Sequence, residues 1–238
     1  MTKNHLTRLN SPKSWPIKRK TTRFIARPIP GPHPINSCMT LNVLLRDKLG
    51  YAKTAKEIKM ILNQKNILVD KKTRTNYKFP IGFMDVIEIP SLDERYRVVF
   101  NQNGIFSLVL INKEQANLKL LKIIRKNIIK KGLVQLTFHD GRTMALDKFK
   151  GSIGDTILFD LTKKTFDKIL PMDKSSLVYL KGGSHISKIG KIKDIIKSKD
   201  LQKPKIIVEV NGKDHITIME HVFVIGKDKL ELDVEEKK

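Results

Sequence analysis

The chain has 238 residues and a formal net charge of +23. A charge of this size favours a polyanionic partner, and nucleic acid is the leading candidate. No apolar run approaches the ~20 residues of a membrane-spanning helix, and the single cysteine, Cys38, excludes an internal disulfide and a multi-cysteine zinc site. We therefore expect a reduced, cytoplasmic protein with no membrane partner.

The first 46 residues hold nine Lys or Arg, no Asp or Glu, and six of the ten prolines. Proline removes backbone donors, so such a segment favours neither a helix nor a central strand. Residues 1–38 are predicted to be a basic, extended arm that orders against nucleic acid; a merely solvated basic surface is the blander alternative. Its candidate RNA-binding residues are Lys3, His5, Arg8, Lys13, Trp15, Lys18, Arg19, Lys20, Arg23, Arg27 and His33.

Trp15 is the only tryptophan and lies among basic residues of the arm. In one interpretation, its ring stacks on a base or sugar of RNA. The other makes the ring a hydrophobic anchor that fastens the arm to its own domain. We favour the anchor, and both interpretations stay open at the level of sequence.

Residues 39–90 are predicted to be the first compact domain. Leucines at helical spacing indicate a helix that ends at Gly50. Thr54 and Glu57 have the spacing of a capping box, which predicts a second helix, and we expect Asn66 to close it in a left-handed conformation. A strand over 67–69, a turn over 70–72 and a strand over 84–89 follow, and Pro90 is predicted to end the domain.

Residues 91–175 are predicted to be mostly β. Asn103-Gly104 indicates one hairpin, and the segment from His139 to Arg142 indicates a second between strands 133–138 and 143–146. Residues 155–161 are predicted to form a further strand. The segment 118–131 carries six Lys or Arg and no acid, which fits either a basic helix or β structure; Gly132 and the following hairpin favour the strand.

Residues 176–226 are predicted to be a third small unit. A strand over 177–180 precedes a Gly-rich turn, and Asn211-Gly212 is the strongest short hairpin signal in the chain. The last segment, 227–238, turns acidic and is predicted to be a solvated tail.

Signals of catalysis are weak. The glycines between 182 and 190 lack the spacing of a phosphate loop, because His185 stands where a glycine is needed. The six histidines are scattered, so we expect no metal and no cofactor. Gly141-Arg142 with Leu146-Asp147 faintly resembles a segment of pseudouridine synthases, but three residues intervene, and Asp147 is interpreted as a residue at a strand end.

Several segments together resemble the e-type small-subunit ribosomal protein S-four family of archaea and eukaryotes, and the Pro-His-Pro-Ile segment and the chain length look more similar to archaeal members. They span almost the whole chain in one order: residues 5–9, 12–15, 31–34, 79–87, 139–142, 154–156, 181–183 and 189–192. The resemblance implies an α+β, mostly β protein. It would have the basic arm, an S-four-type RNA-binding domain over 39–90, a central β domain over 91–175 and a KOW-type (SH3-like) β-barrel over 176–226, with Gly190 as the barrel's glycine.

The function that the resemblance implies is binding, not catalysis. The protein would be a structural constituent of the small ribosomal subunit, with rRNA and neighbouring ribosomal proteins as partners and no small-molecule substrate. The further candidate RNA-binding residues are Lys53, Lys56, Lys59, Lys71, Lys72, Arg74, Lys78, Lys188 and Lys191. Tyr77 is a candidate for base contact.

Three positions depart from the S-four pattern. Ala55 replaces an arginine, which puts that RNA contact in doubt, and Lys65 and Lys71 replace glycines, so that Asn66 and Asp70 would have to adopt the unusual backbone angles. Two alternative functions remain at this stage, an RNA-modifying enzyme and a non-ribosomal regulator that uses a KOW barrel. We also expect a chain without residues 1–36 to fold.

Overall fold

The computed structural model describes residues 4–129, 132–196, 203–227 and 229–234. The chain forms two compact units, one made chiefly of residues 1–101 and 105–117 and the other chiefly of residues 118–233. Both are rich in strands, which confirms the mostly β, α+β fold class. Among the described residues, no helix combines the length and the apolar character needed to cross a membrane.

The first unit contains short strands and two helical segments. Its strands in chain order are β1 (Leu6–Thr7), β2 (Phe24–Ile25), β3 (Cys38–Thr40), β4 (Leu68–Val69), β5 (Lys72–Thr73), β6 (Pro80–Gly82), β7 (Val86–Ile89), β8 (Glu94–Phe100) and β9 (Phe106–Leu110). Strands β1 and β2 pair with each other, β3 pairs with β6, and the remaining five form one sheet in the order β5-β4-β7-β8-β9.

Both predicted helices are present. Helix α1 (Leu41–Val43) continues as a π-helical segment (Leu44–Lys48), and its leucines are buried. Gly50 follows with a φ of +73°, a conformation that a glycine adopts without steric cost. Helix α2 (Ala55–Asn63) begins with the predicted capping box, in which the Thr54 hydroxyl accepts from the Glu57 N–H and the Glu57 carboxylate accepts from the Thr54 N–H.

The closing residue of α2 differs from the prediction. Lys65, not Asn66, adopts the left-handed conformation, with a φ of 60°. At the turn between β4 and β5, Asp70 and Lys71 both have positive φ angles, of 50° and 62°. The two lysines that replace family glycines therefore retain the glycine-like backbone angles themselves, and only Asp70 behaves as expected.

The main sheet of the first unit crosses the predicted domain boundary at residue 90. Pro90 begins a single 3-10 turn over Pro90–Leu92, and Asp93 then takes a φ of 53°. This tight reversal returns the chain antiparallel to β7, so β8 and β9 extend the same sheet. The sequence marks the turn correctly, but the turn is internal to the unit and does not end it.

The second unit contains two five-stranded antiparallel sheets. The first has the order β12-β11-β10-β13-β14 and the second the order β18-β17-β16-β15-β19. The strands are β10 (Leu118–Ile128), β11 (Val134–Phe138), β12 (Thr143–Leu146), β13 (Thr156–Asp160), β14 (Phe166–Leu170), β15 (Leu177–Leu180), β16 (Ile189–Ile196), β17 (Lys205–Val210), β18 (Lys213–Ile218) and β19 (Val222–Gly226).

The ambiguous basic segment that starts at Leu118 is a strand. β10 pairs with β13 over its first half and with β11 over its second half, with a register shift between Ile123 and Arg125. One strand thus pairs with two neighbours on the same sheet, β13 and then β11, and its first half is buried. The strands β14, β16 and β19 were not identified from sequence. Charged residues interrupt the alternation of β14 and β16, and β19 is a short, fully buried apolar run without alternation.

The turn of the β11–β12 hairpin is held by a buried ion pair. Lys119 Nζ lies 3.2 Å from Asp140 Oδ2, and both side chains are almost inaccessible to solvent. Arg142 Nε lies 2.9 Å from the same oxygen. Burial opposes ionisation of Asp140, but the nearby Lys119, His139 and Arg142 outweigh it and lower its pKa.

The described part of the acidic tail is more ordered than predicted. Leu232 and Val234 are buried, and the Glu231 carboxylate accepts a hydrogen bond from Lys168 on β14. The apolar residues between the acids explain this, since the burial of a Leu or Val side chain stabilises by about 1.5–3 kcal/mol. Residues 235–238 lie outside the described residues.

Candidate nucleic-acid interface

The arm is a folded ribbon rather than an extended strand. Leu6 and Thr7 pair with Ile25 and Phe24, and the residues between form a closed loop. The Arg8 guanidinium donates to Thr22 Oγ1 at 2.8 Å and to the Lys18 carbonyl at 3.1 Å. Arg19 donates to the Ser11 and Pro12 carbonyls at 3.0 and 2.8 Å. The two arginines thus close the loop, and the buried Arg8 is a structural residue rather than a free RNA contact.

Trp15 is an anchor and not an exposed stacking residue. Its side chain is 2% exposed and belongs to the apolar core of the first unit, with Leu41 and Phe106. The indole Nε1–H donates to the Cys38 carbonyl at 2.6 Å. No ring face is available to a base, so the prediction of an RNA contact at Trp15 is corrected, and the anchor interpretation holds.

His33 is also buried and fastens the end of the arm. Its Nε2 lies 3.0 Å from Asp85 Oδ2, which also accepts from the Gly82 N–H at 2.8 Å. A Cβ at Gly82 would lie 2.5 Å from the His33 ring, so only glycine permits this approach. His33 therefore packs against the turn after β6, and its predicted role in RNA binding is corrected.

The charge that remains available on the arm lies in its loop and in the residues that flank β2. Lys13, Lys18, Lys20 and Arg23 are exposed and Arg27 is half-buried, while Lys3 lies outside the described residues.

His5 is exposed, and its ring centroid lies 5.4 Å from that of Phe24. Phe24 was not identified from sequence. In the sequence, residues 24–26 are a short apolar run between Arg23 and Arg27, and such a run does not show which of its side chains is exposed.

A second basic and aromatic surface lies between helix α2 and the segment before β6. Lys59 Nζ lies 4.9 Å and Lys78 Nζ lies 5.7 Å from the centroid of the Tyr77 ring. Arg74 lies 4.3 Å from the Phe79 ring centroid. Cations over aromatic rings are favourable contacts, and they hold several positive charges at one place. The structure brings together Lys59, Arg74 and Lys78, which sequence reasoning had named separately.

The other named lysines of this domain differ in environment. Lys53 and Lys56 are exposed near the start of α2, and Lys72 is exposed on β5. Lys71 forms an ion pair with Glu88 at 2.8 Å, with both side chains partly buried. An acid already neutralises Lys71, so it is a weaker candidate for a phosphate contact than Lys72.

The candidates of the second unit lie on its second sheet. Lys191 on β16 and Lys188 just before it are exposed, and Lys188 Nζ lies 3.4 Å from His185 Nδ1. Gly190 is buried between β15 and β17, and a Cβ there would lie 2.5 Å from the Glu209 carbonyl oxygen. Within the described ranges, no three His, Cys, Asp or Glu side chains are grouped so that they could hold a metal ion.

Segments of the chain match three families of known proteins. Residues 2–36 match the RS4NT (NUC023) domain, residues 39–87 the S4 domain, and residues 92–166 the Ribosomal family S4e. The folded arm and the surface around Tyr77 fall within the first two matches, and strands β10 to β13 of the second unit fall within the third.

Full-length relatives extend the likeness. The small ribosomal subunit protein eS4 of Methanothermobacter thermautotrophicus is 39% identical, over 95% of this chain and 94% of the relative. That of Nanoarchaeum equitans is 37% identical, over 95% and 97%. The crystal structure of the 30S ribosomal protein S4e from Thermoplasma acidophilum has a TM-score of 0.71 and 35% identity, covering 82% of this chain and 97% of that one. The resemblance indicated by the motifs is thus confirmed, and the chain belongs to the S4e family of small ribosomal subunit proteins.

Proposed function

We propose that this protein is a structural, non-catalytic constituent of the small ribosomal subunit, bound to rRNA and neighbouring ribosomal proteins in the cytoplasm. The observation that carries the proposal is the surface around Tyr77, where Lys59, Lys78 and Arg74 lie over two aromatic rings. An arm with no acidic residue in the same unit adds to the positive field. Family membership supports the same role.

The exposed cations would act by neutralising phosphates. Each phosphate contact releases a counterion, so that the logarithm of affinity falls with the logarithm of salt by about 0.7–0.9 per contact. Such contacts position the protein on RNA, whereas the shape of the RNA and its unpaired bases give specificity. The Tyr77 ring, which has two ammonium groups near it, is a candidate to meet a base at this surface.

The test is the affinity of the full chain for a small-subunit rRNA transcript as a function of salt. We expect a steep salt dependence, and a shallower slope for Lys59→Gln because one phosphate contact is lost. Lys174→Gln is the matched control, since Lys174 already pairs with Asp194. An affinity that does not change with salt, or a slope that Lys59→Gln leaves unchanged, would contradict the assignment of this surface.

The described residues give the catalytic alternative no support at the position it would need. Asp147, the carboxylate that a pseudouridine synthase would need, is exposed and lies directly after β12. Catalytic carboxylates are usually held in clefts where burial and neighbouring charges shift their pKa. We therefore expect Asp147→Ala to leave the nucleoside composition of the rRNA unchanged, as measured by mass spectrometry.

A further inference from the structure

Phe24 is an exposed aromatic side chain in a setting where aromatic side chains are otherwise covered. It is 51% exposed, and among the described residues no other Phe, Tyr or Trp has a comparable exposure. Burying a Phe side chain stabilises a protein by about 1.5–3 kcal/mol. The first unit buries Trp15 from the same arm and leaves Phe24 in solvent, so the core does not use this ring.

The neighbours of Phe24 form a small group of planar side chains around its ring. The His5 ring centroid lies 5.4 Å from the Phe24 centroid, with an angle of 42° between the planes. The Arg23 guanidinium carbon lies 5.3 Å from the same centroid. Imidazole, phenyl and guanidinium groups are the planar side chains on which unpaired nucleobases stack. All three lie together at one edge of the arm.

The backbone fixes the position and the direction of Phe24. Phe24 pairs with Thr7 across the two-stranded ribbon, and the Arg8 N–H donates to the Arg23 carbonyl at 3.1 Å. The next residue, Ile25, is buried in the core of the first unit, which fixes the side of the strand from which Phe24 projects. The ring is therefore oriented before any partner arrives, which lowers the entropic cost of binding.

Charge identifies the chemistry of the partner. The exposed residues Lys18, Lys20 and Arg23 lie within six positions of Phe24, and the first 46 residues contain no acid. A protein surface that covers Phe24 would need acids to balance these cations, whereas a nucleotide supplies a planar base and a phosphate together. The combination of ring and cations fits a single-stranded nucleotide.

We propose that His5, Phe24 and Arg23 form a stacking platform for an unpaired base of rRNA. The proposal rests on the proposed function and gives the arm a contact with a base in addition to its contacts with phosphates. Phe24 and His5 supply the stacking faces, and Arg23 supplies both a planar face and a charge for the adjacent phosphate. Trp15, the aromatic residue that the sequence offered for this role, fastens the platform to the domain instead.

The test compares two labelled probes by fluorescence anisotropy with the full chain, a 12-nucleotide oligoadenylate and a 12-unit abasic RNA with the same phosphates. We expect Phe24→Leu, which keeps the apolar bulk and loses the aromatic face, to weaken oligoadenylate binding about 5- to 100-fold. Phe24→Tyr should bind like the wild type. Leu9→Ala, an exposed apolar residue of the same arm, is the matched control.

The salt slope separates stacking from charge. Phe24→Leu should leave the slope unchanged because it removes no cation, whereas Arg23→Gln should reduce it by about 0.7. The variant Phe24→Trp adds a second fluorescent indole to that of the buried Trp15. We expect oligoadenylate to quench the added fluorescence and the abasic probe to leave it unchanged.

Equal losses on both probes for Phe24→Leu, or no loss on either while the wild type binds, would overturn the platform and leave the proposed function intact. If the wild type binds neither probe and no rRNA transcript, the proposed function fails as well.

Discussion

Replacing Trp15 tests whether the arm is part of the folded core. The side chain is 2% exposed. An aromatic side chain buries about 150–250 Å², so at ~25 cal/mol per Å² the transfer contribution is about 4–6 kcal/mol as an upper estimate. Substitutions of buried Trp or Phe by Ala cost about 3–5 kcal/mol. We expect Trp15→Ala to lower the free energy of unfolding of the first unit by this amount.

The hydrogen bond of the indole is tested separately. Trp15→Phe keeps most of the ring but removes the donor to the Cys38 carbonyl, which lies in a fully buried residue. An unsatisfied buried acceptor costs about 1–3 kcal/mol, so Trp15→Phe should lie between the wild type and Trp15→Ala.

The assay is urea denaturation followed by far-ultraviolet circular dichroism at fixed ionic strength, because the variants lack the only tryptophan. Leu9→Ala, from an exposed position of the same arm, should change the free energy by less than ~0.5 kcal/mol. A loss below ~1 kcal/mol for Trp15→Ala would refute the view that the arm completes the core. By the same reasoning, we now expect a chain without residues 1–36 to be less stable than the full chain, since that deletion removes the buried Trp15 and His33.

Three further predictions concern stability. Asp140→Asn should destabilise the second unit by about 3–5 kcal/mol in urea denaturation, because the buried Lys119 loses its carboxylate partner. In the wild type this stabilisation should be present above pH ~3.9 and disappear as the pH falls through the lowered pKa of Asp140. A variant as stable as the wild type would contradict the prediction. Burial and, to a smaller extent, the charge of Lys181 lower the pKa of Lys122 to about 7, so the unfolded chain binds more protons between pH 7 and ~10.4. The free energy of unfolding of the wild type should therefore rise with pH over that range relative to that of Lys122→Met. Parallel pH profiles of the two proteins would contradict the lowered pKa of Lys122. Lys65→Gly should stabilise the first unit by roughly 0.5–1 kcal/mol, because Lys65 has a φ of 60°. The control Asn66→Gly should not stabilise it. Equal effects of the two substitutions in thermal unfolding would argue against strain at Lys65.

The sequence by itself determined the local structure and the class of partner. The capping box at Thr54 and the Asn-Gly turns at 103 and 211 depend on short-range backbone preferences, and each has its signature within a few residues. The segment that starts at Leu118 is ambiguous by itself, and the strand was favoured only by Gly132 and the hairpin that follows it. The net charge of +23 follows from the composition alone and already indicates an anionic partner. The family resemblance drew on motifs spread along the chain.

Only the tertiary structure decided which arm residues meet solvent. Trp15 and Phe24 both stand among basic residues in the sequence, yet one is in the core and the other is exposed. Burial depends on contacts with residues far along the chain, such as Cys38, and no local pattern reports such contacts. The same reason explains why Pro90 looked like a domain end. A turn is a local property, but whether the next strand joins the same sheet depends on long-range pairing.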